Sequence, residues 1–182
     1  MTEISKEIAS ISTAEQVSKS QIVEEVKERM TSRGYEAVEL DDTRPWGAFV
    51  KFNNNQADSF VADFFPDLDI IEARLGNQET ELSPKILIVS PDQRLSWQYH
   101  NRRAERWTFL TDGSCERSLT DEEGEVIDLK AGESLQFEPS ERHRLIGKTG
   151  KYTLVAEIWQ HTDADHPSDE ADIVRLADDY SR

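Results

Sequence analysis

The residues with the clearest chemical potential fall in one stretch, Arg94-Leu-Ser-Trp-Gln-Tyr-His-Asn-Arg-Arg-Ala-Glu-Arg-Trp107. In an extended chain alternate side chains share a face, so Gln98 and His100 project one way and Trp97 and Tyr99 the other. A tight turn through Asn101–Ala104 would bring Glu105, on the next strand, beside Gln98 and His100. His143, which follows Glu138-Pro139-Ser140 at the start of another strand, is the fourth contributor. One amide oxygen, two imidazoles and one carboxylate make a mixed nitrogen and oxygen site for a divalent metal, and zinc accepts such ligands. A coordination position left over would make the site catalytic rather than structural. Each residue alone also has an ordinary reading, since a single histidine on a strand face is more often a core or surface residue than a ligand. The four carry weight only as a set.

Placing such a set requires strands in register. Residues 44–161 read as short strands: Gly47–Phe52, Asp69–Leu75, Lys85–Val89, Arg94–His100, Arg106–Leu110, Ser114–Leu119, Val126–Leu129, Ser134–Phe137, Arg142–Ile146 and Tyr152–Trp159. Asp112-Gly113, Glu123-Gly124, Ala131-Gly132, Glu138-Pro139 and Thr149-Gly150 supply turns between them. Many short strands at this spacing predict an antiparallel sandwich or barrel, an all-β class. Residues 1–43 hold one convincing helix, with Ile22, Val26 and Met30 at a spacing of four and Val23 widening the face. Ser12 with Glu15 reads as a capping box, Ser20 as a later cap and Gly34 as the stop, while the first ten residues read as frayed. This helix packs on the domain or on a second subunit. Residues 162–182 form an acidic tail, and its apolar Ile173, Val174, Leu176 and Tyr180 imply that it docks back on the body.

The 182 residues suit one well-packed domain. With 21 Lys and Arg against 37 Asp and Glu, the formal charge is −16. Such a chain is repelled by nucleic-acid phosphates. No stretch approaches the roughly 20 apolar residues of a membrane span, and Met1–Glu7 lacks the basic start and apolar run of a signal peptide. The single cysteine, Cys115, excludes an internal disulfide framework and a Cys-based metal cluster. The expectation is a soluble cytoplasmic protein with a small-molecule ligand, and neither nucleic acid nor membrane as partner.

The spacing around the four residues resembles that of the cupin family. Its first motif is Gly-(x)5-His-x-His-(x)3–4-Glu, which Gln98-x-His100-(x)4-Glu105 fits with Gln in place of the first His. Gly132 stands eleven residues before His143, as the second motif requires. Phosphomannose isomerases are cupins whose zinc is held by Gln, His, Glu and His. The likeness narrows to the cupin domain of type II mannose-6-phosphate isomerases, through Arg44-Pro45-Trp46-Gly47, Leu95–His100, Arg103–Trp107, His143-Arg144-Leu145 and Asp172–Arg175 with Asp179-Tyr180-Ser181-Arg182. It covers residues 44–182. The 43 preceding residues are too few for a nucleotidyltransferase domain and lack a Gly-rich nucleotide loop, so GDP-mannose synthesis by this chain alone is not expected.

The resemblance implies a cupin double-stranded β-helix (a jelly-roll barrel), here carrying an N-terminal helix over residues 1–43, and a homodimer as one option. It also implies zinc on Gln98, His100, Glu105 and His143, and isomerisation of mannose 6-phosphate to fructose 6-phosphate. Arg175 matches the terminal motif and is expected to act in catalysis on the phosphorylated substrate. Arg103 and Arg144, close to ligands in sequence, are expected to bind it. His161 and His166 read as surface residues, the four tryptophans as core, and no general base is identified. The sequence departs from the pattern at Asn101, Arg102 and Arg106, where histidines are usual. Asp92 and Ser181 stand where glycines are usual, Pro139-Ser140-Glu141 replaces Pro-x-Gly, and the Asn53–Ser83 segment is long. A non-catalytic sugar-binding or regulatory cupin, and an iron oxygenase, remain open alternatives at this level.

Overall fold

In the computed structural model, which describes residues 1–181, the chain opens with two helices, α1 (Glu3–Ala9) and α2 (Lys19–Ser32). Strands β1 (Ala37–Asp41) and β2 (Gly47–Phe52) follow, then helices α3 (Ala57–Phe64) and α4 (Ile70–Ala73). The remaining strands are β3 (Lys85–Val89), β4 (Trp97–Tyr99), β5 (Arg103–Phe109), β6 (Gly113–Ser118), β7 (Val126–Leu129), β8 (Ser134–Phe137), β9 (Arg142–Ile146), β10 (Thr153–His161) and β11 (Val174–Ala177). They form a six-stranded sheet in the order β1-β2-β3-β10-β5-β8 and a five-stranded sheet in the order β11-β4-β9-β6-β7, with antiparallel pairings throughout. This is the cupin jelly roll. No helix among the described residues is long and apolar enough to cross a membrane.

Strand alternation gives the six-stranded sheet two apolar faces. Val50, Phe52, Ile86, Ile88, Leu154 and Ile158 pack against the helices with Ile8, Ile22, Val26, Phe60 and Phe64. Phe49, Leu87, Val89, Trp107, Phe109 and Val155 face the other sheet and meet Cys115 and Leu145 there. A sheet covered on both sides explains the near-continuous apolar runs of β3 and β10. Gly47 is needed where β2 crosses β3, because a Cβ there would collide with the Ile88 carbonyl oxygen.

The helices are where the structure departs from the sequence reading. The segment Asp69–Leu75 is not a strand: Asp69 caps α4 by accepting the Ile71 amide at 2.8 Å. Helix α3 was not anticipated, although Ala57, Phe60, Val61 and Phe64 are spaced for one buried face. The amino end is not frayed, since Thr2 caps α1 and Ile4 and Ile8 enter the core. The capping box of α2 is Ser18 with Gln21, six residues beyond Ser12 and Glu15, and Gly34 ends it at φ +90°. Strand β1 lies within residues 1–43 yet adds its edge to the sheet of the following segment.

Two replaced glycines keep glycine-like backbone: Asp92 has φ +59° and Ser181 φ +58°. Asp tolerates this left-handed region better than most residues. The last residue of the matched terminus, Arg182, lies outside the described residues. Replacing Ile8 by alanine should destabilise the protein by about 2–5 kcal/mol. Urea unfolding followed by tryptophan fluorescence measures this, and an unchanged midpoint would show that α1 is not docked.

Candidate metal centre

The register of the two sheets assembles the site at one end of the sandwich. Gln98 on β4 pairs with His143 on β9, and both point inward. On the facing sheet, β5 sets Arg103 and Glu105 on the same inner face, opposite His161 and Trp159 of β10. His100 follows directly after β4. Ligand atoms of His100, Glu105 and His143 lie within 4.8 Å of one another, and all three residues are buried. His100 Nε2 is 3.1 Å from Glu105 Oε1, and His143 Nε2 is 3.3 Å from Glu105 Oε2. The Gln98 amide is 3.4 Å from His100 Nε2.

Hydrogen bonds outside the cluster decide what these atoms can do. His100 Nδ1 donates to the carbonyl of Asp172 at 2.6 Å, and His143 Nδ1 donates to the carbonyl of Glu141 at 3.0 Å. A carbonyl only accepts, so each Nδ1 carries a proton, and the Nε2 of each ring faces the carboxylate. His143 Nε2 has no hydrogen-bond partner among the described residues. The Nε2 atoms and the carboxylate oxygens converge closely enough to hold one cation between them. Burial pushes the Glu105 carboxyl up, but the charges of His100 and Arg103 outweigh burial and hold it well below the usual carboxylate range. The Gln98 amide accepts from Ser96 Oγ at 2.6 Å, and rotating it would turn its oxygen inward while its NH2 donates to the same hydroxyl. Two imidazoles, one carboxylate and one amide oxygen therefore fit a divalent first-row metal.

A pocket opens beside this cluster, lined by Arg44, Trp46, Lys85, Gln98, Arg103, Glu105, Glu157, Trp159 and Arg175 among others. Its cations are held in different ways. Arg103 donates to Glu105 Oε1 at 2.8 Å and to His100 Nε2 at 3.2 Å. Lys85 and Arg103 both lie over the Trp159 ring, at 3.5 and 3.6 Å. Arg175, paired by its backbone with β4, is exposed at the rim, and its side chain forms no hydrogen bond or ion pair among the described residues. Glu157 accepts from Trp107 Nε1 at 3.0 Å and from Trp159 Nε1 at 3.2 Å, with Lys85 Nζ at 4.0 Å. Burial first, then the charge of Glu105, pushes the Glu157 carboxyl up to about 7. A carboxyl poised there can hold or release a proton near neutrality.

Residues 68–178 match the family model of the mannose-6-phosphate isomerase C-terminal domain. The chain belongs to this family. Among solved structures it is similar to the capsular polysaccharide assembling protein CapF from Staphylococcus aureus. One crystal structure of CapF matches at TM-score 0.52 and 10% identity, over 81% of this chain and 34% of that chain. A second crystal form matches at TM-score 0.50 and 11% identity, over 76% and 34%. The likeness shows the fold alone, and this chain spans about a third of CapF. A cupin 2 conserved barrel protein from Salinispora arenicola matches at TM-score 0.38 and 19% identity, over 45% of this chain and 63% of that chain. No curated protein matches this sequence significantly.

The fold of this isomerase-domain family thus brings Gln98, Arg103, Glu105 and Arg175 to one pocket, with His100 and His143 buried against Glu105. It does not bring Arg144 there. As the neighbour of inward-facing His143, Arg144 must point to the outer face of β9. It pairs there with Glu116 at 3.3 Å and Glu123 at 2.8 Å. Trp46 and Trp159 line the pocket rather than serving only as core. His161 is not a surface residue: it is 6% exposed and accepts the Ser168 amide on Nδ1 at 2.9 Å. Burial, reinforced by Arg103, lowers its pKa. Sequence reasoning missed Lys85 and Glu157. Each carried a signal, a charged residue inside an otherwise apolar strand.

If the four residues are metal ligands, Glu105→Ala and His143→Ala should each lose stoichiometric metal after zinc loading and desalting, read by elemental analysis. Arg144→Ala, on the other face, should keep it. Full retention in both ligand variants would overturn the assignment.

Proposed function

We propose that this chain is a divalent-metal-dependent aldose–ketose isomerase of a sugar phosphate, interconverting mannose 6-phosphate and fructose 6-phosphate with zinc on Gln98, His100, Glu105 and His143. The observation that carries this reading is the buried Gln, His, Glu and His set beside a pocket that Gln98 and Glu105 line together with cations and a proton-poised carboxyl. Membership of the mannose-6-phosphate isomerase C-terminal family points to the sugar.

The reaction moves a proton between C2 and C1 of the open-chain sugar through an ene-diol. A bound divalent ion supplies Lewis acidity toward the oxygens on those carbons. The chain's own residues do the rest. Glu157, as carboxylate, takes the C2 proton and returns it to C1, while the hydroxyl proton of O2 passes to O1. Its two indole donors fix both oxygens, so the group has little reorganisation to undergo. Arg103 and Lys85 place positive charge beside the developing oxyanion, held flat on Trp159. Trp46 and Trp159 wall the pocket with apolar surface and limit water. Arg175 at the rim is free to meet the phosphate, and a charge-assisted bond of that kind contributes about 1.5–3 kcal/mol.

A coupled assay on zinc-loaded protein, following fructose 6-phosphate formed from mannose 6-phosphate, tests the reading. Turnover abolished by a chelator and restored by zinc is the expected result. No turnover in protein of verified metal content would favour a non-catalytic sugar-binding cupin. Glu157→Gln should reduce kcat by about 10²–10⁴-fold. The wild-type rate should fall as pH drops, with its acid limb at or below about 7, because Glu157 must be ionised to act and a bound cation favours the ionised form. An acid limb unchanged in Glu157→Gln would remove Glu157 from this role. Arg175→Ala should raise KM for the sugar phosphate about 10-fold or more, and an unchanged KM would assign the phosphate to another residue.

A further inference from the structure

The tail segment Ser168–Asp172 reaches the metal centre from outside the sandwich, and neither the ligand set nor the isomerisation uses it. Asp172 is only 6% exposed. Its carbonyl oxygen is the acceptor for His100 Nδ1 at 2.6 Å. Its carboxylate accepts the amides of Asn101 and Arg102, both at 3.0 Å, and the Ser168 hydroxyl at 2.7 Å. Asn101 and Arg102 are the two residues directly after His100. One residue therefore holds both the imidazole ring and the turn that carries it. Ser168 links the same clamp to the pocket, since its hydroxyl oxygen accepts from Arg103 at 2.9 Å.

An imidazole can offer either nitrogen to a metal, and the hydrogen bond at the other nitrogen decides which. We propose that Asp172 is a positioning residue of the metal centre, locking His100 as the Nδ1–H tautomer with Nε2 aimed at Glu105. The acidic tail is then part of the site and not a surface appendage. This inference rests on the reading of the four residues as ligands.

Zinc affinity by chelator competition tests it in the full chain. Asp172→Ala should weaken zinc binding about 10–100-fold. Asp172→Asn, which keeps one acceptor oxygen, should fall between it and wild type. Arg94→Ala breaks the Arg94–Asp179 pair at the far end of the tail and should leave the affinity unchanged. The visible spectrum of cobalt-saturated protein should shift in Asp172→Ala, which a purely structural loss would not produce. Should Asp172→Ala fail to fold, Asp172→Asn and Ser168→Ala carry the same measurements. Wild-type affinity and an unshifted cobalt spectrum in the Asp172 variants would overturn this inference alone. A wild-type chain that takes up no zinc would overturn the ligand reading, and this inference with it.

Discussion

Two imidazoles converge on one carboxylate in the interior of the sandwich. Glu105 is buried between the Nε2 atoms of His100 and His143, at 3.1 and 3.3 Å, and each imidazole donates its Nδ1 proton to a carbonyl on the far side. A buried charge without compensation costs several kcal/mol. Arg103 and His100 compensate in part, and the ligand atoms of the three residues, all within 4.8 Å of one another, could hold a cation as well. The rest of the molecule can be understood as what holds that cluster in place: the Gln98–His143 register, the turn after β4, and the tail that closes over His100.

The sandwich is polar at one end and apolar at the other. Along β3, β5 and β10 the inward residues run from Lys85, Glu105 and Glu157 to Val89, Phe109 and Val155. The apolar end, with the helix-covered outer face of the larger sheet, supplies burial that offsets the cost of grouping charges at the mouth. Those charges are mutually tuned. Glu157 is raised by the same burial and by the neighbouring Glu105, whose own carboxyl is held ionised by His100 and Arg103. Two carboxyls on adjacent strands are thereby driven apart in proton affinity.

Much of the site was legible in the chain. The parity of Gln98 and His100, the turn to Glu105 and the order of motifs anticipated which residues meet. Parity also contained the correction on Arg144: next to an inward His143 it had to face out, and nearness in sequence misled. Lys85 and Glu157 were harder. A charged residue in an apolar strand is visible, but whether it lies at the mouth or the closed end depends on strand register. The long Asn53–Ser83 segment was misread because α3 and α4 are short, and a single buried face over eight residues is easily taken for loop or strand.

Local rules sufficed for the ligand types, the alternation that aligns them, the all-β class and the α2 face, because these depend on neighbours a few residues apart. Asp92 and Ser181 show the same locality: both positions have the left-handed backbone that glycine favours. The Nδ1 partners of His100 and His143, the elevated proton affinity of Glu157, the exile of Arg144 and the clamp by Asp172 were settled only in three dimensions. Each depends on a partner on another strand or in the tail, such as Asp172, 72 residues from His100. Burial and register, which set the dielectric and the hydrogen-bond partner, are properties of the folded chain and have no counterpart in any short segment of it.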